Sequence, residues 1–534
     1  MSTARTSPAG QSAPDPEVCV IGAGLAGGLV AYELARRGIS VVVLEAGPRY
    51  DPRDRPAALA RLMEAGERPW KLEADRDGFT NAGPVAYPLN DFRVKGVGGT
   101  TLHWTAYAVR LHETDFRMRE LYGIGDDWPI RYADLEPWYG LAEESLGVAG
   151  VGDNPFASAR SKPYPLPPFP PSYADRVLTR GCTALDIRVH GAPFARNSVA
   201  YQGRPICEAY GVCASHNICP IHAQYTAEVH LDLAVQSGRV TVRPDAPVLR
   251  INTDAGGRVR SVLYAGSGGA IVEQRARHFV LAAHAVESAR LLLLSETTRF
   301  PHGLANGSGM VGRNFMEHPF WYATGRIREN VAPYRIGFHT TETHQFCSPE
   351  GRADEGAHRI AFLNQVGPKP ATLALESGLW GDALAKEVRE NFGHQVGMHA
   401  FVEQLPDARN TVTLDPRMRD RFGNAVPRLT YDIGNYERDA GRRARQTMRR
   451  ILEASGAHEI DLHEGEPQRF CGHQIGTCRM GRDPARSVVN ADLRAHDVEN
   501  LSIVGSGAFV TAGPLNPSLT IAALAIRLGR TLTP

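Results

Sequence analysis

The chain has 534 residues, 43% of them hydrophobic and 22% charged, with a formal net charge of +1. That balance suits a soluble globular chain and excludes the concentrated basic surface that nucleic acid or an acidic membrane would need. No apolar run reaches the roughly 20 residues of a bilayer span, and eight cysteines are few for a disulfide scaffold at this length.

Residues 1–16 are rich in Ser, Ala, Thr and Pro and are expected to form a disordered tail. They lack the basic-then-apolar pattern of a signal peptide, so the default location is the cytoplasm. Order is expected from Val18-Cys19-Val20-Ile21, an apolar β-branched run that ends in Gly22-Ala23-Gly24-Leu25-Ala26-Gly27. This G-x-G-x-x-G spacing opens a helix. Gly22 permits the tight turn, Gly24 lets backbone approach a pyrophosphate, and Gly27 lets helix and strand pack closely. A second apolar run, Val41 to Leu44, ends at Glu45, 18 residues after Gly27, where a carboxylate meets a ribose hydroxyl. Strand, turn, helix, strand and acid in this order predict a dinucleotide site and leave the dinucleotide open.

A polar, proline-studded stretch without periodicity follows to about Asn90. Gly96, Gly98 and Gly99, in the run Arg93 to Trp104, mark a second close backbone approach. The segment Asp127 to Gly147 carries a short helix, with Tyr132, Leu135, Trp138, Tyr139 and Leu141 on its apolar side. Pro163 to Pro171 is a stiff connector at a lobe boundary. Cys207, Cys213 and Cys219 crowd into one loop. Val240 to Ile251 predicts a pair of strands, and Phe279 to Ala283 a buried strand running into a helix at Ala285 to Ser295, so the nucleotide sheet resumes after an insertion. From Phe320 to about Glu403 the pattern is irregular, with many aromatics and with His339, His344 and His399 as candidate pocket-lining groups. Asn410 to Asp415 and Arg428 to Ile433 alternate like antiparallel strands, and Arg438 to Ala454 like an amphipathic helix. The C-terminal part carries His473-Gln474-Ile475-Gly476-Thr477-Cys478-Arg479-Met480-Gly481, a strand at Leu501 to Val504 closed by Gly505, and Asn516 at the start of a long apolar helix.

Taken together, these segments resemble the glucose–methanol–choline (GMC) flavoprotein oxidoreductases. The resemblance rests on Gly22 to Gly27 with Glu45, Val97 to Trp104, Leu281 to Ser295, Gly309 to Pro319 (ending Glu317-His318-Pro319), His473 to Gly481 and Asn516 to Thr520. Arg110 to Pro137 and Gly203 to Ile221 are similar to the bacterial FAD-dependent sugar dehydrogenase branch. The resemblance implies an α/β FAD-binding, Rossmann-like domain interleaved with an α+β substrate domain that contains an antiparallel sheet. The expected division is 17–130, 228–318 and 470–534 for the FAD domain. The substrate domain then takes 131–227 and 319–469, with the cysteine loop at 207–219. FAD contacts are expected from Gly22, Gly24, Gly27, Glu45, Gly98, Gly99, His103, Val248, Gly505 and Asn516. Whether His103 bonds covalently to the flavin is open, since relatives do both. His284 stands where relatives often carry Gly or Asn.

Oxidising an alcohol requires a base for the hydroxyl proton while hydride leaves carbon for flavin N5. Imidazole, with an ordinary pKa near ~6.5, suits the task, and an amide hydrogen-bonds the same hydroxyl without competing for its proton. The resemblance implies His473 as that base and Asn516 as its partner.

The thiols Cys207, Cys213 and Cys219 leave three readings open. Relatives carry a three-iron, four-sulfur ([3Fe-4S]) cluster in this region, for which three thiolates suffice. With His216 or His222 they compose a Cys3His zinc site, and without metal they are small buried residues. A longer gap before the last cysteine, and the absence of a further neighbouring one, depart from the relatives' pattern. The expected function is FAD-dependent oxidation of a sugar or polyol hydroxyl, with electrons leaving through the cluster. The resemblance further implies a cytochrome acceptor and a small export subunit that would carry the chain to the periplasm. The alternatives are a cytoplasmic oxygen-using oxidase of a sugar or sugar-bearing natural product and, further off, a hydroxynitrile lyase.

Overall fold

The computed structural model describes residues 15–534 apart from 71, 210, 212, 214–216, 464, 466 and 468. Most of the expected N-terminal tail, and His216 of the zinc reading, lie outside the described residues.

The first layer is a five-stranded parallel sheet in the order Leu501–Ile503, His278–Leu281, Val18–Ile21, Val41–Leu44, Val240–Arg243. Val18, Cys19 and Val20 are wholly buried, as expected of a parallel strand covered on both faces. Helices Leu25–Arg36 and Ser518–Thr531 pack against each other beside it, so the first and last helices of the chain share one core. The three parts of this sheet come from widely separated chain segments. The strand pair expected at 240–251 is not one. Val240–Arg243 is the edge of the parallel sheet, whereas Val248–Thr253 begins a separate antiparallel sheet with Val259–Ala265 and Ile271–Arg275. The break falls at Pro247, which cannot donate to a ladder.

A seven-stranded antiparallel sheet forms the second layer. Its order is His458–Asp461, Pro319–Arg326, Gln395–Val402, His358–Leu363, Thr341–Thr343, His190–Gly191, and Arg469–Phe470 also pairs with Pro319–Arg326. Its two faces differ in chemistry. Trp321, Ala323, Ile360, Phe362, Val396, Met398, Ala400 and Val402 form one core with helices Tyr173–Ala184 and Asn435–Ala454. Burying a Val or Met side chain there contributes about 1.5–3 kcal/mol each. The alternate positions Phe320, Tyr322, Arg359, His399 and Phe401 face the other way, because side chains alternate along a strand. Thus the region read as irregular contains the longest strands of this antiparallel sheet. A second three-stranded sheet among the described residues is built from Thr411–Arg419 and Ala425–Thr430, antiparallel as expected, with Thr80–Asn81 alongside.

Candidate active site

The C-terminal ends of the parallel strands open into a cavity of about 1300 Å³, its solvent mouth included. Of the expected cofactor residues, Gly22, Gly24, Glu45, Gly99, Val248 and Gly505 line it. Gly27 and Gly98 support the lining from behind: a Cβ on Gly27 would overlap the Gly22 carbonyl oxygen, and Gly98 donates its N–H to Ala23 O at 2.9 Å. Gly24, the N-cap of helix Leu25–Arg36, supplies no side-chain cap, and the first turn carries no acidic residue. The N–H groups and positive dipole end there suit a diphosphate. A Cβ at Gly24 would meet nothing nearer than Gly99 Cα at 3.9 Å, so the space beyond this turn is open to a ligand. Glu45 is buried and accepts from Ala23 N (2.8 Å), Gly47 N (3.1 Å) and Gly96 N (2.9 Å). It ties both glycine turns together, and burial raises its pKa despite the three donors. Lone pairs of these two oxygens remain for ribose hydroxyls. An uncapped glycine turn, a carboxylate at the end of the second strand and a cleft of this size fit a dinucleotide such as FAD.

His284, a departure from the resemblance, stands at φ 67°, caps helix Ala285–Leu294 by accepting from Val286 N, and lines the same cavity. Its Nε2 lies 3.0 Å from Gln474 Oε1, and Gln474 Nε2 donates to Tyr87 OH at 2.6 Å. Tyr87 in turn donates to Glu317, whose two oxygens accept the His473 N–H at 2.7 and 2.9 Å. A hydrogen-bonded chain therefore connects the cofactor cavity to the loop of His473. His103 follows the turn Gly99–Leu102; its Nε2 is buried without a partner among the described residues, and burial lowers its pKa to about 4.

His473 and Asn516 meet: Asn516 Nδ2 is 3.0 Å from His473 Nε2. Sequence reasoning quoted Glu317-His318-Pro319 without giving it a role, yet His318 settles the tautomer of His473. His318 Nε2 lies 2.6 Å from Gly513 O, an atom that only accepts, so Nε2 carries the proton and Nδ1 is bare. Its Nδ1 is 2.8 Å from His473 Nδ1, which must then be the protonated one. His473 Nε2 is left with its lone pair, facing the Asn516 amide. Burial lowers the pKa of His473 well below 6.5, helped by His318 and Arg359, and burial brings His318 to about 4. Both rings are neutral at pH 7. Glu317 moves the other way, raised by burial to about 7. Asn516 Oδ1 is buried and has no partner among the described residues. An alcohol O–H set against this pair would meet a base lone pair and an amide at the same point.

The segment after the cysteine loop, tied to it by Gln224 N donating to Cys219 Sγ at 3.4 Å, lies beside the second glycine turn. Gln224 Nε2 donates to Trp104 O (2.7 Å), Trp104 Nε1 to Tyr225 O (2.9 Å), and Ala227 N to Thr101 Oγ1 (2.9 Å). Cys207 and Cys213 are half-buried and Cys219 buried, none of them in a disulfide among the described residues. Burial raises the Cys213 pKa, and the nearby charges of Cys219 and Cys207 raise it further against the opposing pull of Arg196. The three thiols are thus within electrostatic reach of one another. Among the described residues, none of them belongs to a group of three metal-ligand atoms all within 4.8 Å of one another.

Residues 406–525 match the family described as GMC oxidoreductase, and residues 17–72 the family described as FAD dependent oxidoreductase. The fructose dehydrogenase large subunit of Gluconobacter japonicus is 34% identical over 96% of this chain and 96% of its own length. The 6'''-hydroxyparomomycin C oxidase of Streptomyces lividus is 30% identical over 97% of this chain and 91% of its own. Among solved structures, a formate oxidase of Aspergillus oryzae RIB40 superposes with a TM-score of 0.68 at 14% identity, covering 97% of this chain and 98% of that one, which shows the shared fold. No helix among the described residues is long and apolar enough to cross a membrane. The chain belongs to the GMC oxidoreductase family and is an FAD-dependent oxidoreductase acting on CH–OH groups.

Proposed function

We propose that this enzyme oxidises a secondary or hemiacetal hydroxyl of a sugar or polyol, with His473 as the base. The observation that carries the reading is the unprotonated Nε2 of half-buried His473, set 3.0 Å from the Asn516 amide Nδ2, whose N–H it accepts. Asn516 Nδ2–H holds the substrate oxygen, His473 Nε2 takes the hydroxyl proton as the C–O bond becomes a carbonyl, and His318 keeps the lone pair on the reacting side. FAD, when bound, supplies the acceptor of the hydride that leaves carbon. Backbone N–H groups of the Gly22–Gly27 turn would hold its diphosphate and Glu45 its ribose, with Val248 and Gly505 walling the cavity and Gly98, Gly99 and His103 on the far side. The sugar class is supported by the 34% identity to a fructose dehydrogenase large subunit. Anaerobic addition of a panel of sugars should bleach the flavin absorbance of the purified protein. A panel that leaves the flavin oxidised would remove this reading.

For the electrons' exit, the reading is a [3Fe-4S] cluster on Cys207, Cys213 and Cys219. A lone zinc needs its ligand atoms crowded around one ion at about 2.3 Å, whereas sulfide-bridged irons hold their thiolates further apart. The wider spacing of the thiols suits the latter, and Arg196, Arg204 and Arg55 lie close enough to feel thiolate charge and to offset it. A cluster would send electrons singly to a haem-protein partner, and a small export subunit would accompany such a chain to the periplasm. The second reading, an oxygen-using oxidase of a sugar-bearing natural product, is favoured by the 30% identity to the paromomycin-series oxidase. Iron and acid-labile sulfide in the pure protein support the dehydrogenase; one peroxide per turnover with no iron supports the oxidase.

A further inference from the structure

The face of the seven-stranded sheet opposite its helices carries polar groups that the scheme above does not use. Arg359 is wholly buried on strand His358–Leu363. Its Nη1 lies 2.6 Å from Glu342 Oε2; Nε and Nη2, which form the two-donor side edge of the guanidinium, make no hydrogen bond of good geometry among the described residues. The group is held flat between the rings of Tyr107 and Phe401, 4.4 Å from each centroid. Phe401 is its cross-strand neighbour and meets the His473 ring edge-on at 5.9 Å. His399 stacks on Phe401 at 4.6 Å, and His339 lies 5.9 Å from His399. The Nε2 atoms of His399 and His339 are also buried without hydrogen-bond partners among the described residues, His339 Nε2 lying 4.0 Å from Glu342 Oε2. Burial keeps both rings neutral, bringing His339 to about 3.

Buried donors are nearly always paired, and each orphan costs stability. Two adjacent unpaired donors on one rigid guanidinium, with two imidazole nitrogens nearby and the His473 ring one phenyl away, form a polar cluster suited to binding oxygens. The fork geometry matches two oxygens side by side. Those oxygens carry no charge of their own, because Glu342 already neutralises Arg359 and is itself fixed by Tyr107 OH at 2.7 Å. We propose that the Nε/Nη2 edge of Arg359 grips two vicinal hydroxyls of the substrate beside the one being oxidised, with His399 and His339 completing their hydrogen bonds. The enzyme thereby selects polyols over simple alcohols and over carboxylates.

This assignment rests on the sugar reading given under Proposed function, and the test separates the two. Anaerobic flavin reduction is followed with a sugar that bleaches wild type, its deoxy analogue lacking one neighbouring hydroxyl, and the matching aldonate. Wild type should prefer the sugar over the deoxy analogue by about 10- to 100-fold. Arg359→Lys keeps the charge opposite Glu342 but cannot present a fork. It should bring that preference close to one by raising half-saturation for the sugar, while the deoxy analogue stays within about twofold of wild type. Should Arg359→Lys not retain flavin, His399→Phe, which keeps the stack on Phe401, should lower the preference by about fivefold. A preference that survives these substitutions, an equal loss on both substrates, or a wild type that favours the aldonate overturns the assignment of Arg359 alone. Failure of every polyol to reduce wild type overturns the sugar reading beneath it.

Discussion

In the proposed scheme the two sheets serve their ligands by opposite means. The parallel sheet offers backbone: its first strand turns through Gly22–Gly27, the Gly96–Gly99 loop packs on that turn through the Gly98 N–H to Ala23 O, and the Gly24 Cα stays open. The antiparallel sheet offers side chains, with Arg359, His399 and Phe401 projecting from one face while the other is sealed against helices. His473 and Asn516 stand between the two, on loops that belong to neither. The lesson is one of separable failure. Damage to the first region should empty the enzyme of cofactor, whereas damage to the second should leave a full complement of flavin and change what reduces it.

The sharpest break is at Gly27. Its missing Cβ would overlap the Gly22 carbonyl oxygen, so Gly27→Val should abolish flavin binding; the flavin-to-protein ratio after purification reports it. Retention of stoichiometric flavin would show that the turn is not the anchor. Next, His473→Ala should keep flavin but slow its reduction by about 10²- to 10⁴-fold, the usual range for loss of a general base. A smaller effect is expected at His318, which touches neither cavity nor substrate in this scheme. His318→Ala strands the His473 Nδ1–H without its acceptor, and about a 10- to 100-fold slower reduction follows. His318→Asn, which can accept that proton, should recover part of the loss; equal rates for the two variants would deny His318 a positioning role.

The cofactor half of this comparison was legible in sequence because glycine turns leave a covalent signature: missing side chains at fixed spacing next to apolar strands. His473 and Asn516 were legible only through the family resemblance, since 43 residues separate them in the chain. The substrate half was not. Strand Gln395–Val402 alternates apolar residues with Gly397, His399 and Phe401, all buried, so the period-two contrast between buried and exposed positions disappears. His399 stood out only as one of three candidate pocket-lining histidines, and Arg359 is polar yet inside with nothing local to announce it. Likewise, the tie between His318 and His473 spans 155 residues and depends on Gly513 O, a backbone atom with no sequence signal.

The smallest effect is on stability. His103, His284, His318, His190 and His344 are each held near 4 by burial, below the ordinary 6.5. Unfolding returns them to the ordinary value, so the unfolded chain binds more protons between about pH 6.5 and 4. Their contribution is therefore full above 6.5 and is lost as pH falls through 4. Glu317, raised to about 7, acts in the opposite sense between about 4.5 and 7. Glu45, Asp175, Glu228, Glu403 and Glu437, which burial also raises, act in that sense too, while His112, His222, His230, His278, His339 and His358 add to the histidine side. Thermal unfolding of the holoenzyme should accordingly move to lower temperature from pH 6.5 downward; an unchanged midpoint at pH 4.5 would mean that these rings are protonated in the fold.

The central claim is that His473 rests neutral, with its Nε2 lone pair aimed at the substrate hydroxyl. It is tested most directly by the rate of anaerobic flavin reduction by a sugar, measured from pH 5 to pH 8. Because the pKa of His473 is held well below 6.5, the rate should stay level through 6.5, with at most a shallow step near 7 from Glu317, whose contact with His473 is to the backbone N–H. A tenfold fall for each pH unit below about 6.5 would contradict it, because it would describe an ordinary, solvated imidazole rather than this one.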